Sequence, residues 1–302
     1  DAFFEIVSGF TTTGSSILSD PSQMPYCINI WRCFSHWIGG MGVLVFILTL
    51  LPLAGGYHMN LMKAESPGPS VGKLLPKVQA TAKILYKIYI ALTVVLIILL
   101  LLGGIPLYDS LCAAFGTAGT GGFGIKPDSM GSYSLYIQIV ITVFMILFGV
   151  NFNVYFLLLT KKFSQALKSE EVRCYFIVII ASALMITFNV RHLFNNVWEA
   201  LQQSFFQVGS IITTTGYATT DYNQWPAVSR TILVLLTFCG ACAGSTGGGI
   251  KISRLLLLAK SVRKELHLYL HPNAVKKIKM DGKAVSHEVM RATNIYMIVY
   301  LM

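Results

Sequence analysis

Five stretches of this chain contain no Asp, Glu, Lys or Arg: Cys33 to Met62, Ile88 to Tyr108, Ser129 to Thr160, Cys174 to Val190 and Thr231 to Ile250. A helix of about 20 apolar residues crosses the hydrocarbon core of a bilayer, so runs of this kind leave few folds open. Lipid offers no partner to a free backbone N–H or C=O, which restricts spanning structure to helices and closed barrels. Only 12% of the 302 residues are charged, about half the share in a soluble domain. A soluble enzyme, a disordered tail, a DNA-binding domain and a secreted disulfide module are thereby excluded, although the formal net charge is +10. The expected fold class is all-α and integral to the membrane.

The basic excess is clustered. Of the 23 Lys and Arg residues, 19 fall in segments 63–87, 161–173 and 251–291, and the positive-inside rule assigns all three to the cytoplasm. The remainder keeps Arg32, Lys126, Arg191 and Arg230 against seven acids, Asp1, Glu5, Asp20, Asp109, Asp128, Glu199 and Asp221. The outer face is therefore expected to attract cations. Trp31, Trp37, Trp198 and Trp225 adjoin these outer segments, where amphipathic rings suit the headgroup region.

A shift of 202 residues superimposes Phe3-Phe4 on Phe205-Phe206 and Thr11-Thr12-Thr13-Gly14 on Thr213-Thr214-Thr215-Gly216; a shift of 108 adds a weaker copy, Thr120-Gly121-Gly122-Phe123. Each copy has an apolar stretch of roughly 10 residues, a Thr/Gly turn, a polar outer segment and a full-length run descending to a basic loop. Ile88 to Leu107 and Cys174 to Val190 rise to the second and third copies. Ten residues are too short to cross, so each stretch is expected to enter the membrane and return, which lipid tolerates only where the backbone lines water or protein. The repeat unit is a span, a re-entrant half-helix with an extended loop, and a span. The expected organisation is a first repeat over 1–62 without its first span, a second over 63–172, a third over 173–270 with a broken second span, and over 271–302 a cytoplasmic hairpin with the start of a fourth. Asp1-Ala-Phe-Phe at one end and the apolar Tyr296 to Met302 at the other read as interruptions of a longer chain.

Such units gathered around one axis make a pore. Rings of backbone carbonyls replace the water shell of a dehydrating cation without a fixed charge that would trap it. Glycine tolerates the positive φ that turns neighbouring carbonyls inward, threonine hydroxyls add oxygens or brace the loop, and the half-helix presents its negative C-terminal end. A lone Thr-Thr-Thr-Gly is equally a helix C-cap followed by a loop; three copies in equivalent places favour the filter. The expected filter residues are Thr12, Thr13, Gly14, Thr120, Gly121, Gly122, Thr214, Thr215 and Gly216, with the cation at the carbonyls of Thr13, Gly14, Gly121, Gly122, Thr215 and Gly216.

Gly240-Ala-Cys-Ala-Gly-Ser-Thr-Gly-Gly-Gly249 interrupts what would otherwise be one long helix, at about 1 kcal/mol of helix propensity per glycine. The Gly244 to Lys251 stretch is not a phosphate loop, because Ile250 and Ile252 stand where a Walker sequence needs Gly and Ser or Thr. A packing notch of small residues is one reading. The other is an irregular loop beneath the filter, lining the permeation path through Gly240, Ala243, Gly244, Ser245, Thr246, Gly247, Gly248 and Gly249.

Phe10-Thr-Thr-Thr-Gly14, Trp37-Ile-Gly-Gly-Met-Gly42, Thr120-Gly-Gly-Phe123, Thr213-Thr-Thr-Gly-Tyr217 and Ala243-Gly-Ser-Thr-Gly-Gly-Gly249 resemble the Trk/Ktr/HKT superfamily of potassium transporters, in its bacterial Trk/Ktr branch, over essentially the whole chain. The resemblance implies potassium-channel-like repeats around one pore with a single filter glycine each, here Gly14, Gly122 and Gly216. It implies that the glycine-rich loop is the intramembrane gate, that K+ is the permeant ion and that this chain binds no nucleotide. It further implies a homodimer in the bacterial inner membrane and a cytosolic regulatory ring of the TrkA/KtrA type that binds adenine nucleotides. The plant sodium-selective branch carries Ser where this chain has Gly14, which favours potassium.

Lys276 to Val285 alternates and contains Asp281-Gly282, a two-residue hairpin signal. It reads as either an anionic-lipid surface or, by the resemblance, the ring's docking surface. Gly39, Gly40 and Gly42 read as close-packing points, Asn151 and Asn153 as amides bonded to a neighbouring helix or lining the pore, and the six cysteines as free thiols, the Cys239/Cys242 pair having no second pair to make a zinc site. The six histidines form no metal set, and the uncharged runs hold no carboxylates, which argues against a membrane enzyme. The alternatives are a sodium or non-selective monovalent cation transporter of the same superfamily, and a secondary solute transporter with broken helices, which would show inverted halves where these repeats run in one orientation.

Overall fold

A computed structural model describes residues 1–42, 78–271, 273 and 277–302. The expected lower part of the first repeat's descending run, most of the 63–87 basic segment, His58 and Lys276 lie outside the described residues. The described chain is mainly helical: α1 (Ala2–Phe10), α2 (Tyr26–Gly40), α3 (Val78–Leu102), α4 (Leu107–Ala118), α5 (Leu135–Phe148), α6 (Phe152–Leu159), α7 (Phe163–Leu167), α8 (Glu170–Val190), α9 (Val197–Ile212), α10 (Ala227–Phe238), α11 (Ile252–Leu270) and α12 (His287–Leu301).

Among the described residues, helices α3 and α8 carry the two unbroken segments long and apolar enough to cross a membrane, Ala82–Leu102 and Glu170–Leu193, and only 33% of each most apolar window is buried against protein. Their free faces hold Ile90, Val94, Ile98 and Leu102 on α3 and Ile177, Leu184, Met185 and Phe188 on α8. An apolar stripe left uncovered along a helix apolar on all sides is what lipid, not water, accepts. The expected Ile88 to Leu107 run ends sooner: Gly103 and Gly104 (φ 82°) close α3, and Leu107 already opens α4 behind Pro106.

The Ser129 to Thr160 run is not the single span that its composition predicts. It is cut into α5 and α6, bent by 91° at Gly149–Asn151. Asn151 caps α6, its side-chain oxygen accepting from the Asn153 N–H at 2.9 Å, and its amide donates to Glu171 Oε2 on α8 at 3.4 Å. The bend also makes room for a neighbour, because a Cβ on Gly149 would sit 2.2 Å from the Tyr175 hydroxyl.

Two apolar cores hold the short helices in place. Tyr89, Leu96 and Leu100 of α3, Ile137, Ile141 and Phe148 of α5 and Phe206 of α9 form one; Tyr175, Ile179 and Ile186 of α8, Val208 and Ile212 of α9 and Leu233 and Leu236 of α10 form the other. Helix α9 therefore packs between both. Trp31 and Trp198 are exposed as expected of interfacial rings, whereas Trp225 is buried and Trp37 stacks on Tyr89 and donates to the Thr93 hydroxyl at 3.1 Å. After α11, Lys279–Met280 (β1) and Lys283–Ala284 (β2) pair across Asp281 and Gly282, both at positive φ, 48° and 78°.

Candidate ion filter and the loop beneath it

Helices α1, α4 and α9 end in one and the same way. The N–H of Thr13, Gly121 and Thr215 each reaches back five residues, to the carbonyls of Ser8, Gly116 and Ser210, at 3.0, 3.1 and 2.8 Å. The residue before each donor, Thr12, Thr120 and Thr214, is left-handed at φ 54°, 52° and 58°. This is a Schellman cap, and it is built on a β-branched residue that avoids that region. A left-handed Thr costs about 1–2 kcal/mol, and three such costs at matching positions mark a turn whose shape matters more than its stability. Two residues on, Gly14, Gly122 and Gly216 are also left-handed, at φ 76°, 77° and 84°.

The turns lie against one another. A Cβ on Gly14 would fall 1.9 Å from the Gly121 carbonyl oxygen, and one on Gly122 would fall 2.0 Å from that of Thr215. Turn one thus abuts turn two, and turn two abuts turn three, backbone against backbone. For Gly216, a Cβ meets nothing within 4 Å among the described residues.

Immediately after each glycine the carbonyl accepts a side-chain hydroxyl, which in the first and third turns comes from the helix that precedes the turn. Ser8 donates its hydroxyl to the Ser15 carbonyl at 2.7 Å, and Ser210 donates to that of Tyr217 at 2.6 Å. In the second turn the equivalent of Ser8 is Gly116, and the Phe123 carbonyl takes the Tyr217 hydroxyl at 3.0 Å instead. Gly116 has no side chain because that hydroxyl occupies its place, 2.2 Å from where a Cβ would stand. Only the carbonyls up to and including each glycine are therefore spared this backward bond. The threonine hydroxyls brace: Thr11 pairs with Thr13 at 2.8 Å and Thr213 with Thr215 at 2.7 Å.

Helix α2 seats the first two turns. Gly39 and Gly40 admit the backbone of Phe10 and of Gly119, whose atoms would lie 2.2 and 2.5 Å from added Cβ atoms. Buried His36 stacks on Phe123 and its Nδ1 accepts from the Phe123 N–H at 3.4 Å.

The glycine-rich segment between α10 and α11 forms a closed loop, its ends joined by a bridge between Cys239 and Ile250. It touches the inner edge of two turns: the Gly248 N–H donates to the Thr214 hydroxyl at 2.7 Å, and the Thr120 hydroxyl donates to the Thr246 carbonyl at 2.9 Å. It also rests on the bend in the second run, through Cys242 N–H to the Gly149 carbonyl at 3.0 Å, Phe152 N–H to the Gly244 carbonyl at 2.9 Å and the Thr246 hydroxyl to the Phe148 carbonyl at 3.2 Å. Gly240 and Gly249 let the two loop ends pass at backbone distance, while Ser245 bonds within the loop, to the Cys242 carbonyl. Gly247 packs on Ala241.

Two buried charges hold this loop, and the composition points to neither. Glu171 in the first turn of α8 accepts from the Ala243 N–H at 2.6 Å and from the Ser253 N–H at 3.2 Å. Lys251, counted among the cytoplasmic basic residues, is buried and donates to the Gly247 carbonyl. Likewise Glu5 and Arg32, counted with the outer surface charges, are buried and paired. A signal for the turn contacts was present in the repeat itself, since the shift of 202 that aligns the glycines also aligns Ser8 with Ser210. Nothing of that kind marks Glu171.

All six cysteines are free thiols, and no group of three His, Cys, Asp or Glu suited to a metal occurs among the described residues.

The family model for TrkH, a cation transport protein, matches residues 1–302. The chain is 36% identical to the Trk system potassium uptake protein TrkH of Salmonella typhimurium, covering 97% of this chain and 62% of that protein. It is 34% identical to the TrkG protein of the same name from Escherichia coli, over 99% of this chain and 63% of the relative. The crystal structure of the potassium transporter TrkH from Vibrio parahaemolyticus superimposes with a TM-score of 0.86 at 32% identity, over 100% of this chain and 62% of that one. This chain thus spans about three fifths of the length of the relatives it matches. With a match along its full length and an architecture shared with a solved member, the chain belongs to the TrkH family of cation transport proteins, which are transporters and not enzymes.

Proposed function

We propose that this chain forms most of the permeation path of a potassium uptake protein in a bacterial inner membrane. The three Thr-x-Gly turns are its selectivity filter, belonging to three channel-like repeats within 1–62, 63–172 and 173–270. Potassium sheds its water onto the carbonyls of Thr13, Gly14, Gly121, Gly122, Thr215 and Gly216. The observation that carries this reading is the backbone contact of consecutive turns, Gly14 on the Gly121 carbonyl and Gly122 on that of Thr215. Strained turns that meet edge to edge, each at the negative end of a short helix, offer a cation oxygens without a trapping charge.

The loop from Gly240 to Gly249 is the gate. It hangs from the inner edge of the filter by hydrogen bonds to Thr120 and Thr214, so its displacement opens the path and its return closes it. The basic segments 63–87, 161–173 and 251–291 face the cytoplasm, where the hairpin at 279–284 is the docking surface for a nucleotide-binding regulatory ring, and the full protein is a homodimer with one pore per subunit. The relatives' name, Trk system potassium uptake protein, supports the choice of ion.

The test is 86Rb+ uptake into vesicles holding the full-length protein, with and without competing Na+. Gly14→Ser is expected to admit Na+ and lower the preference for Rb+; a preference equal to that of the unaltered protein overturns the filter assignment.

A further inference from the structure

Behind the first two turns lies an ion pair with no counterpart behind the third among the described residues. The Nε of Arg32 on α2 donates to Glu5 Oε2 on α1 at 2.5 Å, with 5% and 11% of the two side chains exposed. The other carboxylate oxygen of Glu5 accepts from the Ile17 N–H at 2.7 Å and from the Ser16 hydroxyl at 2.8 Å, in the segment leaving the first turn. On its far side Arg32 donates to the Gly124 carbonyl at 3.3 Å and to Asn29 at 3.4 Å, and its guanidinium lies 3.7 Å above the Phe123 ring. Phe123 and Gly124 belong to the segment leaving the second turn. A single pair therefore grips the chain just beyond two adjacent filter glycines.

The repeat shows how unusual that grip is. Position 5 corresponds to Ala113 in the second copy and to Gln207 in the third. Ala113 has no polar side chain, and Gln207 reaches the Thr219 hydroxyl only at 3.5 Å, leaving its own buried side-chain oxygen without a partner. The pore-helix position is the same and the segment it faces is the same, since Thr219 matches Ile17. The strength of the clamp differs.

Resting on the proposed filter, we infer that Glu5 and Arg32 are positioning residues for ion discrimination: they hold the first and second turns at one separation, and that separation excludes Na+. Neither group touches the ion. A carbonyl ring held at fixed radius suits K+, whereas a ring free to contract follows the smaller ion inward, so rigidity behind the ring becomes selectivity within it. Arginine is suited to this because its planar fork reaches the carboxylate and the Gly124 carbonyl together. Opposite charges at this distance cancel, so the pair acts through the backbone and not through a field in the pore.

The experiment compares the Rb+/Na+ uptake ratio of the full-length protein in vesicles with that of Glu5→Gln, which installs the side chain of the third repeat, with Glu5→Gln/Arg32→Gln, which leaves no unpaired charge, and with Ser16→Ala, which removes one exposed arm of the clamp. The ratio is expected to fall about tenfold in the first two, as loss of hydrogen bonds to charged groups implies, and less in the third, while Rb+ uptake itself persists. Only protein that elutes as a single folded species is read. A ratio restored in the double variant overturns the inference, because the effect then belongs to a stranded charge, and so does a ratio unchanged in every folded variant. Gly14→Ser run in parallel separates the two levels: if it alters the ratio while the clamp variants do not, only the clamp is wrong, and if it too is silent the filter itself fails.

Discussion

The filter turns and the loop under them are both irregular backbone inside a membrane protein, yet they are held by opposite means. Each turn has the same five-residue cap, and the carbonyl after each glycine is bonded in turn, by Ser8 at 2.7 Å and Ser210 at 2.6 Å from their own repeats and by Tyr217 of the third copy at 3.0 Å in the second. Among the described residues the loop occurs once, and it hangs from Glu171, Lys251 and the 91° bend at Gly149–Asn151. Symmetric parts can present equal oxygens to an ion on an axis. If the loop is the gate proposed above, few and distinctive attachments suit it, because one displacement can break them together. Glu171 also adjoins Glu170, whose N–H donates to Asp281 of the hairpin at 2.7 Å and whose carboxylate meets Lys260. The first turn of α8 thus touches the loop on one side and the 279–284 hairpin on the other.

The largest effect is expected where backbone meets backbone. Gly122→Ala forces a Cβ to within 2.0 Å of the Thr215 carbonyl oxygen, and Rb+ uptake is expected to fall roughly a hundredfold or more from strain of up to about 3 kcal/mol with displacement besides. Gly216→Ala adds strain from φ 84° alone, with no clash among the described residues, and loses roughly tenfold. Equal losses in the two variants would mean that contact between turns does not matter.

Next comes the loop. Glu171→Gln keeps the shape of the side chain and removes the charge that accepts from Ala243 and Ser253, at about 1.5–3 kcal/mol for bonds to a charged group. A lower unfolding temperature and several-fold higher uptake without regulatory ring are expected, with the Rb+/Na+ ratio unchanged. A changed ratio would show that loop and filter are not separable.

The smallest effect lies at the outer rim. Asp20 and Asp221 each cap a short turn, although the shift of 202 leaves them one residue out of register; the Ser22 and Gln23 side chains hold the first carboxyl below its ordinary 3.8, and the Asn223 N–H and Gln224 do the same for the second. A carboxylate with a lowered folded value contributes stability above the ordinary range and loses it as pH falls through the folded value. The difference in unfolding temperature between the protein and Asp20→Asn/Asp221→Asn is therefore expected to be small at pH 7 and to shrink further as pH falls below 3.8 and through the lowered folded values. A difference that grows on acidification contradicts the caps.

How far these features can be read in the residues follows from the kind of force behind them. Uncharged runs report the solvent directly, and a repeated Thr-x-Gly reports a repeated turn, so α3, α8 and the three turns were legible. The break at Gly149–Asn151 was not, because Gly149 and Asn151 stand in an otherwise apolar run without a charge, and an amide in such a run is equally one bonded to a neighbouring helix. What bends it is a tertiary demand, the Tyr175 hydroxyl against Gly149 and the loop carbonyl of Gly244 on the Phe152 N–H. Charge counting assigned Glu5, Arg32 and Lys251 to wet surfaces for the same reason, since composition records that a charge exists and not which buried partner stabilises it.

By itself the sequence determined the solvent, the repeat and the glycines at its centre, all of which are local: hydropathy acts run by run, and positive φ is a property of one residue. Only the tertiary structure decided that consecutive turns meet through their carbonyls, that Tyr217 of the third copy serves the second, and that Glu171 holds a loop 72 residues away in the chain. Those contacts join residues whose nearness arises from packing around a shared centre, and no pattern along the chain encodes a distance across it.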